Sequence, residues 1–173
     1  MTKARMDLAF ASLLSDDDAQ VLAALARIEE QGDARAIRPL LFALAKAADP
    51  RVQQRISSLL YQVKAPNAVD ELLLALGDPQ LHTVRTTILG TFWNAGLDAK
   101  DHLDTFISAA VEGSANECFE CVTVIENQEI WPEKAVRTGL ARVQKAMPTE
   151  ADPYKAAMLS DLVRLLEDRL GAE

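Results

Sequence analysis

Cys118 and Cys121 form a C-x-x-C pair, the spacing of redox dithiols and of half a zinc site. A structural zinc site draws about four ligands, typically from two such pairs. No second pair exists in the chain. Redox use needs an exposed thiol of lowered pKa. On a helix, Cys118, Cys121, Val122 and Ile125 fall at i, i+3, i+4 and i+7, which is one face. That spacing favours two core thiols, with redox chemistry and metal binding as the alternatives. The histidines, His82 and His102, stand alone and compose no Ser/His/Asp set. Asp98, Asp101 and Asp104 suggest a metal loop but lack the EF-hand order, with its Gly at position six and Glu at position twelve. Acids at that place also suit the start of a helix. No Gly-rich phosphate loop occurs. Gly32, Gly77, Gly96 and Gly113 read as helix ends. Gly90 lies inside a helical pattern, where it costs about 1 kcal/mol relative to Ala, and reads as a close-packing position ahead of a ligand contact. We therefore expect no catalytic, cofactor or metal site, and no enzyme.

The elements that hold these residues are helices. Alanine (28) and leucine (24) make up 30% of the 173 residues, and Gly and Pro number seven each. Periodicity predicts a first helix over about Lys3 to Leu14, not a signal peptide, since Asp7 and Ser12 break its apolar stretch. Asp16–Asp18 opens a second helix with Val21, Leu22, Leu25 and Ile28 on one face, and Gly32-Asp33 breaks it. A third carries Ile37, Leu40, Leu41 and Leu44. Asp49-Pro50, Pro66-Asn67 and Asp78-Pro79 open the fourth to sixth, and the sixth ends at Asn94-Ala95-Gly96. Asp98 to Asp101 begins the seventh, and Ser114 with Glu117 makes a capping box for the eighth. Pro132 suits the first turn of the ninth, and Asp152-Pro153 opens the tenth. Ten helices with short loops predict five antiparallel pairs in one domain over 1–173. No run of 18 apolar residues exists, so no membrane span is expected, and a reducing cytoplasm is the default compartment.

The chain also repeats itself. Asp49-Pro-Arg-Val-Gln-Gln-Arg-Ile-Ser-Ser-Leu-Leu aligns without gaps on Asp78-Pro-Gln-Leu-His-Thr-Val-Arg-Thr-Thr-Ile-Leu. Segments from Asp18 and Ser114 are looser copies, so the starts are spaced 31, 29 and 36. Such a period means a helical solenoid. The Asp is an N-cap, and Pro follows where no donor is needed.

These residues resemble HEAT repeats, over roughly residues 16–127, with capping helices at both ends. The resemblance implies an all-α, right-handed superhelical stack of about five hairpins whose second helices line a concave face. It implies a protein-binding scaffold in most cases. The pattern departs from the family at Val52-Gln53, where a Val-Arg pair is usual, so a stacked Asp–Arg ladder is in doubt. HEAT-like hydroxylases bind iron through His-Glu pairs, and no His-Glu dipeptide occurs here. HEAT-like glycosylases need a basic concave surface.

Charge bears on the partner. Residues 1–64 carry nine Lys/Arg and eight Asp/Glu, residues 65–130 carry two against eleven, and residues 131–173 carry seven of each. A field of −9 in the middle third repels phosphate backbones and complements a basic protein surface. It is equally a solubilising face. The expected partner-binding positions on the second helices are Gln54, Ser58 and Gln62, then Thr83, Thr86, Thr87 and Asn94, then Glu117, Glu120 and Glu126, with Trp93 as an anchor. Trp131 reads as a hydrophobic staple. The expected function is a non-enzymatic adaptor for a basic protein, binding neither nucleic acid nor membrane. A ligand- or metal-handling protein of the HEAT-like lyase type and a self-associating structural subunit are the alternatives.

Overall fold

The computed structural model describes residues 3–30 and 34–171. Among these the chain is all-helical, with ten α-helices and no strand. It divides into two compact units, residues 1–97 and 98–173. The expected break at Gly32-Asp33 lies outside the described residues.

The first unit holds α1 (Lys3–Ser12), α2 (Asp18–Glu29), α3 (Ile37–Lys46), α4 (Pro50–Leu60), α5 (Ala68–Leu76) and α6 (Arg85–Asn94). Within it α1 packs on α2, α3 on α4 and α5 on α6, while α2 meets α4 and α3 meets α5. The core is built from the periodic apolar positions, including Leu25, Ile37, Leu41, Ile56, Leu60, Leu72 and Ile88. Gly96 takes φ +62° after α6, and Leu97 N–H donates to Phe92 O at 2.9 Å. This is the left-handed helix end that glycine adopts without strain.

The sixth helix starts later than its Asp-Pro predicts. Pro79–Val84 is a 3-10 turn, and α-geometry begins at Arg85. In a 3-10 turn, residues three apart eclipse. Leu81 and Val84 are both buried on that account. The β-branched pair Thr83-Val84 also loses rotamer freedom in an α-helix.

The second unit holds a 3-10 turn at Lys100–His102, then α7 (Leu103–Glu112), α8 (Ala115–Asn127), α9 (Glu133–Ala146) and α10 (Pro153–Gly171). Here α7 packs on α8 and α9 on α10, while α7 meets α9 and α8 meets α10. Phe106, Cys118, Cys121, Ile125, Val143, Leu159 and Leu162 fill the core. Trp131 is buried, its indole N–H donating to Ile125 O at 3.1 Å and its ring edge-on to Phe106. That bond satisfies the one polar atom the indole brings inside.

Several helix starts are held by a side chain. Asp17 accepts from Ala19 N–H at 2.9 Å, Asp49 from Arg51 N–H at 2.8 Å, and Asp78 from Gln80 N–H at 2.9 Å. Ser114 and Glu117 cap α8 reciprocally, and Asp152 accepts from Tyr154 N–H at 2.9 Å. So α2, α4, the turn into α6, α8 and α10 all open on a capping side chain. Helices α3, α5, α6, α7 and α9 have no side-chain bond at their own N-caps, and the turn into α7 is capped as the turn into α6 is, by Asp98 accepting from Lys100 N–H at 3.2 Å. The cap of α2 is Asp17, one residue before the Asp18 that the repeat alignment selects.

Candidate functional site

Helix α4 buries Val52, Ile56 and Leu60, four residues apart. Gln54 and Ser58 fall midway between them, on the opposite side, and Gln62 lies in the turn after the helix. Gln54 and Gln62 are exposed and Ser58 is half-buried. Gln62 also lies on the lip of an apolar hollow of about 380 Å³ floored by Ile37, Leu40 and Leu59.

The positions on α6 differ. Thr83 is exposed in the preceding turn, while Thr86, Thr87 and Trp93 are half-buried. Asn94 turns its amide back onto Gly90 O at 2.8 Å, and Thr91 bonds Thr87 O at 2.7 Å. Such i−4 bonds satisfy polar atoms within their own helix. Helices α4 and α6 share no extensive contact, so each carries its own polar strip.

In the second unit, α8 buries Cys118, Cys121, Val124 and Ile125. Its outer stripe is Asn116, Phe119, Glu120, Thr123, Glu126 and Asn127. Phe119 is 55% exposed there. Glu120 is half-buried and Glu126 exposed. Glu117 requires a correction, because it is buried and its carboxylate accepts from Ser114 N–H at 2.8 Å. It holds the helix start and presents nothing outward. Phe119 was not among the expected positions, although its phase follows once Cys118 and Cys121 are assigned inward.

Electrostatics single out this stripe. The second unit carries fifteen Asp/Glu and eight Lys/Arg. From Asp101 to Glu133 there are eight Asp/Glu and no Lys or Arg. Arg169 approaches the end of α8, but it donates to the backbone carbonyls of Glu126 and Glu129. The dipole end is answered in this way while the carboxylates stay outward. No protein-family model matches the chain, and no curated protein matches it.

The other residues with chemical potential are dispersed. Both cysteines are free thiols and fully buried. Burial pushes the Cys118 thiol up to about 11, against the pull of the nearby Lys155 ammonium. Asp98 accepts from Lys100 N–H and Gln128 Nε2, and the Lys100 N–H holds its carboxyl below the usual range. Asp101 and Asp104 are exposed, as is His82, while His102 is half-buried. Among the described residues no group of three or more His, Cys, Asp or Glu is placed to hold a metal ion. No described helix is long and apolar enough to cross a membrane.

Proposed function

We propose that the protein is a non-enzymatic binding module of HEAT-like helical hairpins whose α8 face receives a basic segment of a partner protein. The observation that carries this is Phe119, an exposed aromatic ring set among Glu120 and Glu126 in a stretch without a single Lys or Arg. An aromatic ring among carboxylates suits Lys and Arg twice. The carboxylates attract the charge, and the ring face accepts a cation or buries an aliphatic stem. The field of the whole acidic stretch would speed encounter with a positive partner. Five hairpins in a right-handed stack are the architecture we infer. The Asp caps at Asp17, Asp49 and Asp78, 32 and 29 residues apart, support a two-helix repeat, and packing of α2 on α4, α3 on α5, α7 on α9 and α8 on α10 supports stacking. Under this reading α4 offers a second, neutral strip through Gln54, Ser58 and Gln62.

The test is a pull-down from native lysate at low salt, beside the E120Q/E126Q and F119A variants, followed by titration of the retained protein. We expect F119A to weaken binding about fivefold or more, as removal of an interface aromatic does. The double Gln variant should flatten the salt dependence. Equal retention and equal salt slopes in all three proteins would remove this reading.

A further inference from the structure

The acidic α8 stripe has a basic counterpart in the same unit. Helix α9 holds four bases and one acid, and it buries Val136, Gly139 and Val143. Its outer side carries Lys134, Arg137, Thr138, Ala141 and Lys145, all exposed. Arg137 is taken by Glu133, the one acid, and Arg142 at the edge pairs with Glu112. Lys134 and Lys145 are left to charge the middle of this face, with Ala141 as a bare step between them.

The two faces match in spacing as well as in sign. Phe119 and Glu126 are seven residues apart on α8, and Lys134 and Ala141 are seven apart on α9. Seven residues make nearly two turns, so each pair shares a face and spans about 10 Å. Laid antiparallel, α8 of one molecule and α9 of another set the Phe119 ring on Ala141 and the Glu126 carboxylate opposite Lys134. Side chains lean toward their helix N-terminus, so Lys145 leans back over Ala141 and meets the ring. A Lys over an aromatic face gains cation–π attraction, and its stem covers apolar surface.

One unit cannot make this contact with itself. Helix α7 packs on both α8 and α9, and so does α10, while α8 and α9 share no extensive contact. The two faces therefore look out from opposite corners of a four-helix unit. An interface joining two different faces is heterologous, and faces on opposite corners leave one of each open for the next molecule. The chain carries −8 overall, so copies repel at long range. Salt at about 0.15 M, with a Debye length of about 8 Å, screens that repulsion and spares pairs in direct contact.

We propose that the basic segment received by the α8 stripe is the α9 face of a second copy of this chain, added head to tail. The proposal rests on the α8 reading above and names its partner. Phe119 and Glu126 supply one side of the contact, and Lys134, Ala141 and Lys145 supply the other.

The test is sedimentation velocity of the full chain across a wide concentration range at that salt. Wild type should grow beyond a dimer as concentration rises. F119A/E126Q alters α8 alone and K134Q/K145Q alters α9 alone, all at exposed positions, so both variants should fold. Each by itself should associate about tenfold more weakly or worse. Mixed in equal amounts, they keep one intact α8 face and one intact α9 face, and should stop at a one-to-one pair. K100Q/R164Q removes two exposed cations of the same unit outside the contact and should stay within about twofold of wild type. A wild type that is monomeric at every concentration overturns the proposal and leaves the α8 reading to the pull-down. Association lost in F119A/E126Q and kept in K134Q/K145Q also overturns it, while the α8 reading stands. A wild type that stops at a dimer, a mixture that stays monomeric, or an equal loss in K100Q/R164Q overturns it as well.

Discussion

Arg38 Nη2 lies 2.7 Å from Asp78 Oδ2, forty residues along the chain. Asp78 is also the cap of the turn leading into α6, so one carboxylate holds a helix start and a bond to α3. The contact ties the turn into α6 back to α3, which supplies the arginine. Replacing Asp78 with Ala removes both interactions. We expect a loss of about 1–2 kcal/mol, most of it from the cap. Asp49, whose partner Arg51 is local and largely exposed, should cost less. Urea denaturation of D78A and D49A checks the order, and equal midpoints would show that the Arg38 bond adds nothing.

Gly139 predicts a second stability effect. A valine there drives its methyls into Ile107, already 3.1 Å from the Cβ position. Overpacking of this kind costs about 1–3 kcal/mol. G139V should lower the thermal midpoint clearly, whereas Val at exposed Thr138 should not. A G139V protein as stable as wild type would mean that α7 and α9 are not held at this separation.

Lys155 is buried near the start of α10. It donates to Val111 O at 2.7 Å, at the end of α7, and pairs with Glu150 at 2.9 Å. A cation suits the carbonyl end of a helix. K155M strands that carbonyl, and we expect about 1–3 kcal/mol of destabilisation.

The same site sets an acid response. The Asp152 N–H first, and then Lys155, hold the Glu150 carboxyl below its ordinary 4.5. Its folded value is depressed, so its contribution is present above 4.5 and is lost as pH falls through the lower folded value. Asp49 behaves alike, held down first by the Arg51 side chain. Stability measured from pH 6 downward should fall below about 4.5, less steeply in K155M. Parallel curves for the two proteins would contradict the pairing.

Cys118 gives an alkaline counterpart. Burial raises its thiol from 9.0 to about 11, so the folded state favours the neutral form. That contribution is complete below 9 and disappears as pH climbs toward 11. At pH 8 a thiol reagent should label neither cysteine in the native protein and both in urea. Rapid native labelling would show that the core opens at α8.

Local chemistry was legible in one dimension. Asp49-Pro50 and Asp78-Pro79 announce helix starts because a cap is made within three residues. The run Asp16–Asp18 offers three similar acids, and only backbone geometry selects Asp17. The 3-10 turn at Pro79–Val84 depends on what Leu81 and Val84 bury against, which no local pattern carries. Glu117 was readable as a capping residue, and that role excludes it from a binding face. Phe119 was legible from the shared face of Cys118, Cys121 and Ile125, which turns it outward, but its apolar type argued for the core. The close approach of α7 and α9 needs Gly139 beside Ile107, a contact across 32 residues that composition and periodicity do not encode.

The unequal capping of helix starts has a consequence for motion. A first turn whose amides are answered by a side chain frays last, and an unanswered one frays early. The N-terminal amides of α2, α4, α8 and α10 should therefore exchange with solvent deuterium more slowly than those of α3, α5 and α9 at equal burial. In the pairs α3/α4 and α9/α10, local opening would begin at the uncapped first helix, so the chain loosens at its unanswered helix starts before its core separates.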